Sequence, residues 1–296
     1  PNCLRSNLSY SPLAALELCV KKTKPKFFVF ENVVGLLSAA PDGYPIVDRI
    51  RKEFMDAGYK VADDFKDTLF DVCDYGIPQH RKRVIIIGIR MDYFDKGKTV
   101  TDDMIHDFYK VIMPSLRTRQ RTVNEAIGDL PKIFPLPDPV VVNGKKYSHA
   151  PISSDKVKNH IPRFHSARDI SVFRMLEEDI ETGRNEYVKI DKLKELYTKV
   201  TGKVSNIHKY YVLRNDEPSN TIPAHLYKDG MRHIHPDSTQ ARSITVREAA
   251  RLQTFPDDFE FLGANMAQYK MVGNAVPVDF ARIVAEALYR LIDKYC

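Results

Sequence analysis

Short apolar runs and helical repeats alternate along the first part of the chain. Residues 27–30 (FFVF) and 83–89 (RVIIIGI) are runs of the kind that suits a strand covered on both faces, as in a parallel sheet. Residues 13–24 and 46–57 have helical spacing, and Pro25 and Gly58 follow them as stop signals. Residues 59–65 can form a further strand. This alternation predicts an α/β sheet.

The character of the sequence changes between residues 91 and 238. Prolines cluster in PKIFPLPDP, and periodicity is weak apart from a predicted helix around residues 169–181. Regular structure returns at Thr245, where the pattern T-x-x-E predicts a capping box that opens the helix VREAARLQ. Pro277 begins a last amphipathic helix. The pattern therefore predicts a second, irregular region inserted into the α/β part.

Composition narrows the class of protein. No run approaches the roughly 18 apolar residues that a membrane span needs, so we expect a soluble intracellular protein. The four cysteines lie far apart without a CxxC pair, which predicts neither a zinc site nor a disulfide framework. A net charge of +6 fits a polyanionic partner, although many proteins without one are equally basic.

Four short motifs carry candidate chemistry, and each alone has an ordinary structural explanation. FENV (residues 30–33) places a Glu at a strand end, where a solvated loop is the usual finding. PQHRKRV (78–84) places Arg81 and Arg83 two positions apart, on one side if the backbone is extended. TVREAARLQTFPDDF (245–259) reads as a packing helix with an aromatic turn, and GNAVPV (273–278) as a tight glycine turn.

In this order, the four motifs resemble the later half of the DNA (cytosine-5) methyltransferase family. EPSNTIPAH (217–225) also resembles a phrase of that family, and the resemblance runs along residues 25–90 and 218–288. It implies a partial Rossmann-like, S-adenosylmethionine-dependent methyltransferase sheet. The catalytic domain would comprise residues 1–90 and 239–296, and residues 91–238 would form a smaller, irregular target recognition domain.

The resemblance also implies a chemistry. In this family a cysteine thiolate attacks carbon 6 of a flipped cytosine, and carbon 5 then takes a methyl group from S-adenosylmethionine. Glu31 would hydrogen-bond ring nitrogen 3, as an acid that carries or shares a proton. Arg83 would bind the exocyclic oxygen, and Arg81 would help to place the nucleophile or a phosphate.

Supporting roles follow from the same resemblance. Gln79 would order its loop, and Asn32 would fix the backbone beside Glu31 or be a simple turn residue. Arg247 and Glu248 would hold the recognition domain against the sheet, with Gln253 in the same scaffold. The cofactor side would be lined by Asn274, Ala275 and Val276. Candidates for contacts with double-stranded DNA, any one of which could instead belong to a solvated face, are Arg117, Arg119, Arg121, Lys145, Lys146, Arg163 and Arg168.

Two parts of the family pattern have no match in the sequence, the glycine-rich cofactor loop and the Pro-Cys nucleophile loop. In PNC, Asn2 separates Pro1 from Cys3, so Cys3 does not fit the nucleophile, and Cys73 is interpreted as a buried thiol. We therefore expect a chain that is incomplete and inactive alone. The missing part would lie in an N-terminal segment left out of this sequence or in a separate subunit.

The closely packed motifs favour a bacterial or phage modification methylase acting in the cytoplasm. Two alternatives stay open. A non-catalytic DNA-reading subunit or degenerate relative would explain the absent nucleophile loop, although it has no use for a base-activating acid. An RNA methyltransferase of the same architecture is the other, and the sizeable recognition segment favours DNA over RNA.

Overall fold

The computed structural model describes residues 12–97, 99–150, 157–228 and 230–295. Cys3, at which the nucleophile was considered, lies outside these residues. The chain divides into two compact units. The described parts of Pro1–Tyr75, Lys82–Thr118 and Arg282–Cys296 form the first unit, and Gly76–Arg81 with Arg119–Ala281 forms the second.

The helices and strands have the following bounds. The α-helices are α1 (Pro12–Thr23), α2 (Ile46–Asp56), α3 (Met91–Phe94), α4 (Val100–His106), α5 (Met113–Ser115), α6 (Val123–Ile127), α7 (Ala167–Glu181), α8 (Ile190–Thr201), α9 (Val246–Leu252), α10 (Asn265–Asn274) and α11 (Val278–Tyr295). The strands are β1 (Phe27–Val33), β2 (Tyr59–Lys60), β3 (Leu69–Asp71), β4 (Lys82–Arg90), β5 (Pro135–Val142) and β6 (Lys145–His149). A π-helical turn, Asp107–Ile112, joins α4 to α5. Among the described helices, none is both long and apolar enough to cross a membrane.

The sheet of the first unit is built around β4. Its order is β1-β4-β2, and β3 also pairs with β4. Every one of these pairings is antiparallel, so β1 and β2 run parallel to each other on opposite sides of β4. The α/β class is confirmed, but the expectation that neighbouring strands pair in parallel is wrong. Burial on both faces makes β4 apolar whatever the direction of its neighbours.

A tyrosine hydroxyl completes the hydrogen bonding of β4. On one edge, β2 pairs with Ile89 and Arg90 while β3 pairs with the other end of the strand, from Lys82 to Val84. Between them, the Ile87 N–H donates to the Tyr109 hydroxyl at 2.9 Å, and that hydroxyl donates to the Ile85 carbonyl at 2.9 Å. The fully buried backbone therefore has partners where the neighbouring strands leave a gap.

Aromatic packing fixes α2 against the sheet of the first unit. The Phe28 ring lies 4.4 Å from that of Phe54 on α2 and 5.3 Å from that of Tyr59, measured between centroids. Phe28 pairs with Gly88 on β4, where a Cβ would come within 1.9 Å of the ring. Glycine is therefore required opposite Phe28.

The second unit contains two hydrophobic clusters and a hairpin. One cluster gathers buried residues of α6, α9 and α10, and the other gathers residues of α7 and α8. The hairpin joins β5 to β6 through Asn143 and Gly144, both at positive φ. This unit holds more regular structure than the sequence predicted, because α8 and α10 were not anticipated.

Most of the predicted helices are confirmed. α1, α2 and α7 match the predicted helices at 13–24, 46–57 and 169–181, and both halves of the capping box between Thr245 and Glu248 are present. The strand predicted for residues 59–65 is wrong beyond Lys60. The chain bends at Asp63 and Asp64. The Asp64 carboxylate accepts a hydrogen bond from the Lys66 N–H and caps the start of a 3-10 turn.

Candidate active site

Glu31 and Arg83 form an ion pair on the sheet of the first unit. Arg83 on β4 is the register partner of Val33 on β1, and Glu31 lies two residues before Val33 on the same side of the sheet. The two side chains are therefore diagonal neighbours across an antiparallel pair. Arg83 Nε lies 2.8 Å from Glu31 Oε1, and 32% of the Glu31 side chain remains exposed.

The pair leaves one hydrogen-bonding atom on each side chain available. Arg83 Nη1 donates to the Lys82 carbonyl at 2.8 Å. Within the described ranges no hydrogen bond engages Arg83 Nη2 or Glu31 Oε2. A guanidinium donor and a carboxyl oxygen are thus left on two side chains that hold each other in place through the Nε–Oε1 contact. Asn32 Oδ1 accepts from the Val33 N–H at 2.9 Å, which fits a backbone role for this side chain.

Arg81 lies outside β4 and belongs to the second unit. Its buried guanidinium donates to the carbonyl oxygens of Ile222 at 2.8 Å, Gly273 at 3.2 Å and Ala275 at 3.0 Å. The backbone at Arg81 is not part of the strand, so the predicted alignment of Arg81 with Arg83 has no strand to enforce it. Arg81 instead joins two motifs that lie far apart in the sequence.

Gln79 makes a parallel connection within the second unit. Its buried carboxamide donates to the Leu252 carbonyl at 3.2 Å and accepts from the Ile222 N–H at 2.9 Å. Gln253, also fully buried, donates to the Val272 carbonyl at 3.0 Å. The two glutamines tie α9 to the segments before and after it.

The GNAVPV motif is not the tight glycine turn that the sequence suggested. Gly273 lies in the last turn of α10, and a Cβ there would come within 2.2 Å of the Pro223 carbonyl oxygen. Glycine is needed for close approach rather than for a positive φ. Beyond it, Asn274 is exposed, while Ala275 and Val276 are half-buried.

Arg247 and Glu248 are buried inside the second unit. Arg247 donates to the carbonyl oxygens of Lys158, Pro256 and Phe259 at 2.9, 3.0 and 2.6 Å. Glu248 accepts two hydrogen bonds of 2.7 Å from Arg242. Burial by itself would raise the pKa of the Glu248 carboxyl, but Arg242 outweighs it and holds that pKa well below its usual range.

The basic residues considered for DNA contacts fall into two groups. Arg163 is engaged internally, since it donates to the carbonyls of Leu226 and Tyr227 and its guanidinium lies 3.8 Å from the Tyr269 ring centroid. The others are exposed or half-buried, and two of them form surface ion pairs, Arg119 with Glu125 and Arg168 with Asp169. The remaining members of this group are Arg117, Arg121, Lys145 and Lys146.

Three features of the site regions were not anticipated from the sequence. Arg242 is the buried partner of Glu248, and the capping-box glutamate was the signal for it, because a buried carboxylate needs a cation. Tyr109 lies in an otherwise unremarkable helical segment. A cavity rich in cations lies among residues 207–233, where the density of Lys, Arg and His was the available signal.

Comparisons with known proteins agree with the motifs. The family model for C-5 cytosine-specific DNA methylase matches residues 13–290. The type II methyltransferase M.Bpa9945I of Bacillus paralicheniformis is 32% identical over 93% of this chain and 62% of its own length. The type II methyltransferase M.PspPI of Psychrobacter sp. is 32% identical over 93% of this chain and 56% of its own length.

A solved structure supports the assignment of the fold. A candidate DNA modification methyltransferase encoded within an Escherichia coli prophage matches with a TM-score of 0.53 at 24% identity, over 93% of this chain and 72% of that one. At this identity the likeness concerns the fold alone. The chain spans roughly three fifths of the length of the two relatives named above.

Proposed function

Because the chain belongs to the family of C-5 cytosine-specific DNA methylases, we propose that it forms part of an enzyme that methylates carbon 5 of cytosine in double-stranded DNA. The proposal concerns the whole protein, since the chain spans only part of the length of its relatives. The enzyme would be a type II modification methyltransferase acting in the cytoplasm of a bacterial or phage-infected cell.

The ion pair between Glu31 and Arg83 carries the proposal. Cytosine offers two adjacent acceptors, its exocyclic oxygen and ring nitrogen 3. Arg83 Nη2 would donate to the oxygen, and Glu31 Oε2, carrying or sharing a proton, would donate to the nitrogen. When a nucleophile adds to carbon 6, electron density moves onto these two atoms, and preorganised donors stabilise that charge.

The contact between Arg83 Nε and Glu31 Oε1 has a positioning role in this scheme. It holds both side chains in one orientation before the base arrives, so little ordering is required at the moment of reaction. Asn32 supports the same arrangement through its bond to the Val33 N–H. The Glu31 carboxyl group can act in this scheme from its position on β1.

The methyl donor would be S-adenosylmethionine, which supplies an electrophilic methyl group when bound. Asn274 presents an exposed carboxamide, and Ala275 and Val276 present small apolar side chains beside it. One polar and two apolar groups on a turn fixed by Arg81 suit a single edge of an adenosyl pocket. The glycine-rich loop and the nucleophile would come from sequence outside these 296 residues, in the same chain or in another subunit.

Residues 91–238 are proposed to recognise the DNA target. The β5–β6 hairpin exposes Lys145 and Lys146, and a two-stranded ribbon of this size fits the major groove. Arg117, Arg119, Arg121 and Arg168 would add contacts to phosphates or guanine edges, while Arg163 would support the fold. Gln79, Arg247, Glu248 and Gln253 would form the scaffold that holds the motifs in register.

The experiment uses the whole protein with tritiated S-adenosylmethionine, duplex DNA of mixed sequence and transfer RNA in parallel, followed by nucleoside analysis. The proposal predicts label on 5-methyldeoxycytidine from DNA. Label on adenine, on the exocyclic nitrogen of cytosine, or on transfer RNA alone would contradict it. Site-selective DNA binding without any label would favour a non-catalytic reader.

A further inference from the structure

A cavity of about 550 Å³ lies in the second unit, beside the 3-10 turn Ala224–Tyr227. The described parts of its walls come from residues 207–209, 220–228 and 230–233. Its volume is that of a small-molecule pocket.

Among the described residues, the charged side chains that line the cavity are cations. Lys209 and Arg232 are half-buried in its wall, and Lys228 and His225 are exposed. No acidic residue of the described chain lines it, and across those same ranges no carboxylate forms an ion pair with Lys209, Lys228 or Arg232. Three cations around one concavity, none of them paired with an acid of the described ranges, favour an anionic ligand.

Two neighbouring histidines lie close to Arg232. Burial first, and then the charge of Arg232, lowers the pKa of His233 to about 3. Burial and Arg232 also lower the pKa of His208, whose Nε2 lies 3.5 Å from Arg232 Nη2. His233 binds the Thr221 carbonyl through Nε2 at 3.1 Å, which fixes the wall of the cavity.

The apolar part of the lining limits the kind of anion. Ile207 and Pro223 supply apolar surface beside the cations, and 55% of Ile207 is exposed. A bare inorganic phosphate would leave that surface and most of the volume unused. A phosphodiester with its attached deoxyribose offers a charged group and an apolar ring face together, in the same arrangement as the wall.

We propose that this cavity binds one sugar-phosphate unit of the DNA strand, with the phosphate on Lys209, Lys228 and Arg232 and the sugar against Ile207 and Pro223. The proposal rests on the proposed function, which makes DNA the substrate. Cations that hold a phosphate position the strand without reading its bases. The contribution of this cavity to affinity should therefore be independent of sequence.

The test measures DNA binding by the whole protein by fluorescence anisotropy across a series of salt concentrations. The variants are the exposed-site change Lys228→Glu and the double change Lys209→Gln with Arg232→Gln. The matched control, Lys22→Gln with Lys66→Gln, removes the same charge from exposed side chains outside both the cavity and the proposed recognition region. Thermal melting shows that each variant is folded, and Lys228→Glu keeps the test decisive if the double variant is not.

We expect each cavity variant to weaken binding about tenfold at moderate salt, for specific and nonspecific duplexes alike. The plot of log association constant against log[salt] has a negative slope, and its steepness should decrease by roughly one per lost phosphate contact. The control should keep the parental slope. Unchanged affinity and slope would overturn the proposal. A loss confined to one DNA sequence would also overturn it, because that result means base reading.

Two further measurements are made. One distinguishes a phosphate of DNA from a free phosphate ligand, and the other distinguishes failure of this proposal from failure of the proposed function. Deoxynucleoside monophosphate and inorganic phosphate are titrated in parallel; tight binding of either, with duplex affinity unaffected by the variants, would assign a free-anion site and overturn the proposal. Methyl transfer to DNA is measured separately. Its absence in the parental protein would contradict the proposed function, whereas an unchanged salt slope in a methylating enzyme would contradict only the cavity assignment.

Discussion

Arg81 donates a hydrogen bond to the Ala275 carbonyl oxygen at 3.0 Å, although the two residues are 194 positions apart in the sequence. The same guanidinium reaches the carbonyls of Ile222 and Gly273. One buried side chain thus connects the arginine motif, the EPSNTIPAH phrase and the start of GNAVPV. Motifs that lie far apart along the chain therefore meet at Arg81 within the second unit.

Removing this junction should destabilise the second unit. Arg81→Ala leaves three buried carbonyl groups without a donor and should lower the free energy of unfolding by about 3 kcal/mol, and Arg81→Lys, which keeps the charge but loses the planar fork, by about half of that. Urea unfolding followed by circular dichroism measures both. Arg168→Lys, at an exposed ion pair, is the control and should change stability by less than about 0.5 kcal/mol. Equal effects at the two positions would refute the junction.

Tyr109→Phe tests the gap in the sheet of the first unit. The change removes a single oxygen and leaves the Ile87 N–H and the Ile85 carbonyl buried without partners. We expect a loss of roughly 2 kcal/mol in unfolding free energy and faster amide exchange at Ile87. Tyr289→Phe, at a side chain that is 67% exposed, should have no measurable effect. Native-like exchange at Ile87 in the Tyr109 variant would be inconsistent with this role.

Gly273→Ala tests the close approach of α10 to Pro223. The added Cβ would come within 2.2 Å of a backbone carbonyl oxygen, which cannot move aside as a flexible side chain would. We expect a loss of about 2 kcal/mol or more and a disturbed Asn274–Val276 turn. Gly35→Ala is the matched control, because no atom lies within 4 Å of a Cβ at that position. The measurement is the melting temperature, together with the affinity for S-adenosylmethionine.

Glu177 should make stability depend on pH. It is fully buried on α7, and no residue of the described chain hydrogen-bonds to either carboxyl oxygen. Burial, followed by the charge of Glu181, raises its pKa to about 9. Between its ordinary value of 4.5 and about 9, the folded state holds a proton that the unfolded state has released. Stability from this group is therefore complete below pH 4.5 and falls as pH rises, by up to about 1.4 kcal/mol per pH unit.

Glu177→Gln keeps the shape of the protonated acid and removes this titration. The variant should melt higher than the parent at pH 8, with a much smaller difference at pH 5. Glu178→Gln, on the exposed face of the same helix, should follow the parental pH profile. A parallel shift of the Glu177 variant at both pH values would argue against a buried protonated carboxyl.

The elements that could be predicted from the sequence are those whose signals are local. The apolar runs gave β1 and β4, the alternating faces gave α2 and α7, and T-x-x-E gave the capping box at Thr245. Strand direction could not be predicted, because a strand covered on both faces has the same apolar run in parallel and antiparallel pairing. α10 was missed because its apolar residues do not fall on one face, and its glycine is explained only by Pro223.

The candidate site likewise contains features that could be predicted from the sequence and features that could not. The Glu31–Arg83 ion pair could be anticipated once the motifs had been matched to a family, and the register of β1 and β4 places the two side chains together. The carbonyl partners of Arg81, Arg163 and Arg247 could not be anticipated, since a carbonyl acceptor has no sequence signature. Arg81 and Arg163 could each have belonged to a solvated face, and Arg247 was expected to have a scaffold role; all three are engaged in the interior of the second unit.

Glu31→Gln separates the acid proton of Glu31 from the shape of its side chain. In the whole enzyme, under single-turnover conditions with saturating DNA and S-adenosylmethionine, the amide keeps the size of the side chain but cannot carry the acid proton. We expect the rate of 5-methylcytosine formation to fall by roughly 100-fold or more, with DNA affinity nearly unchanged. Glu286→Gln removes an ion pair of the same 2.8 Å length on the surface of α11 and should leave the rate unchanged. A Glu31→Gln enzyme that methylates at the parental rate would contradict the account.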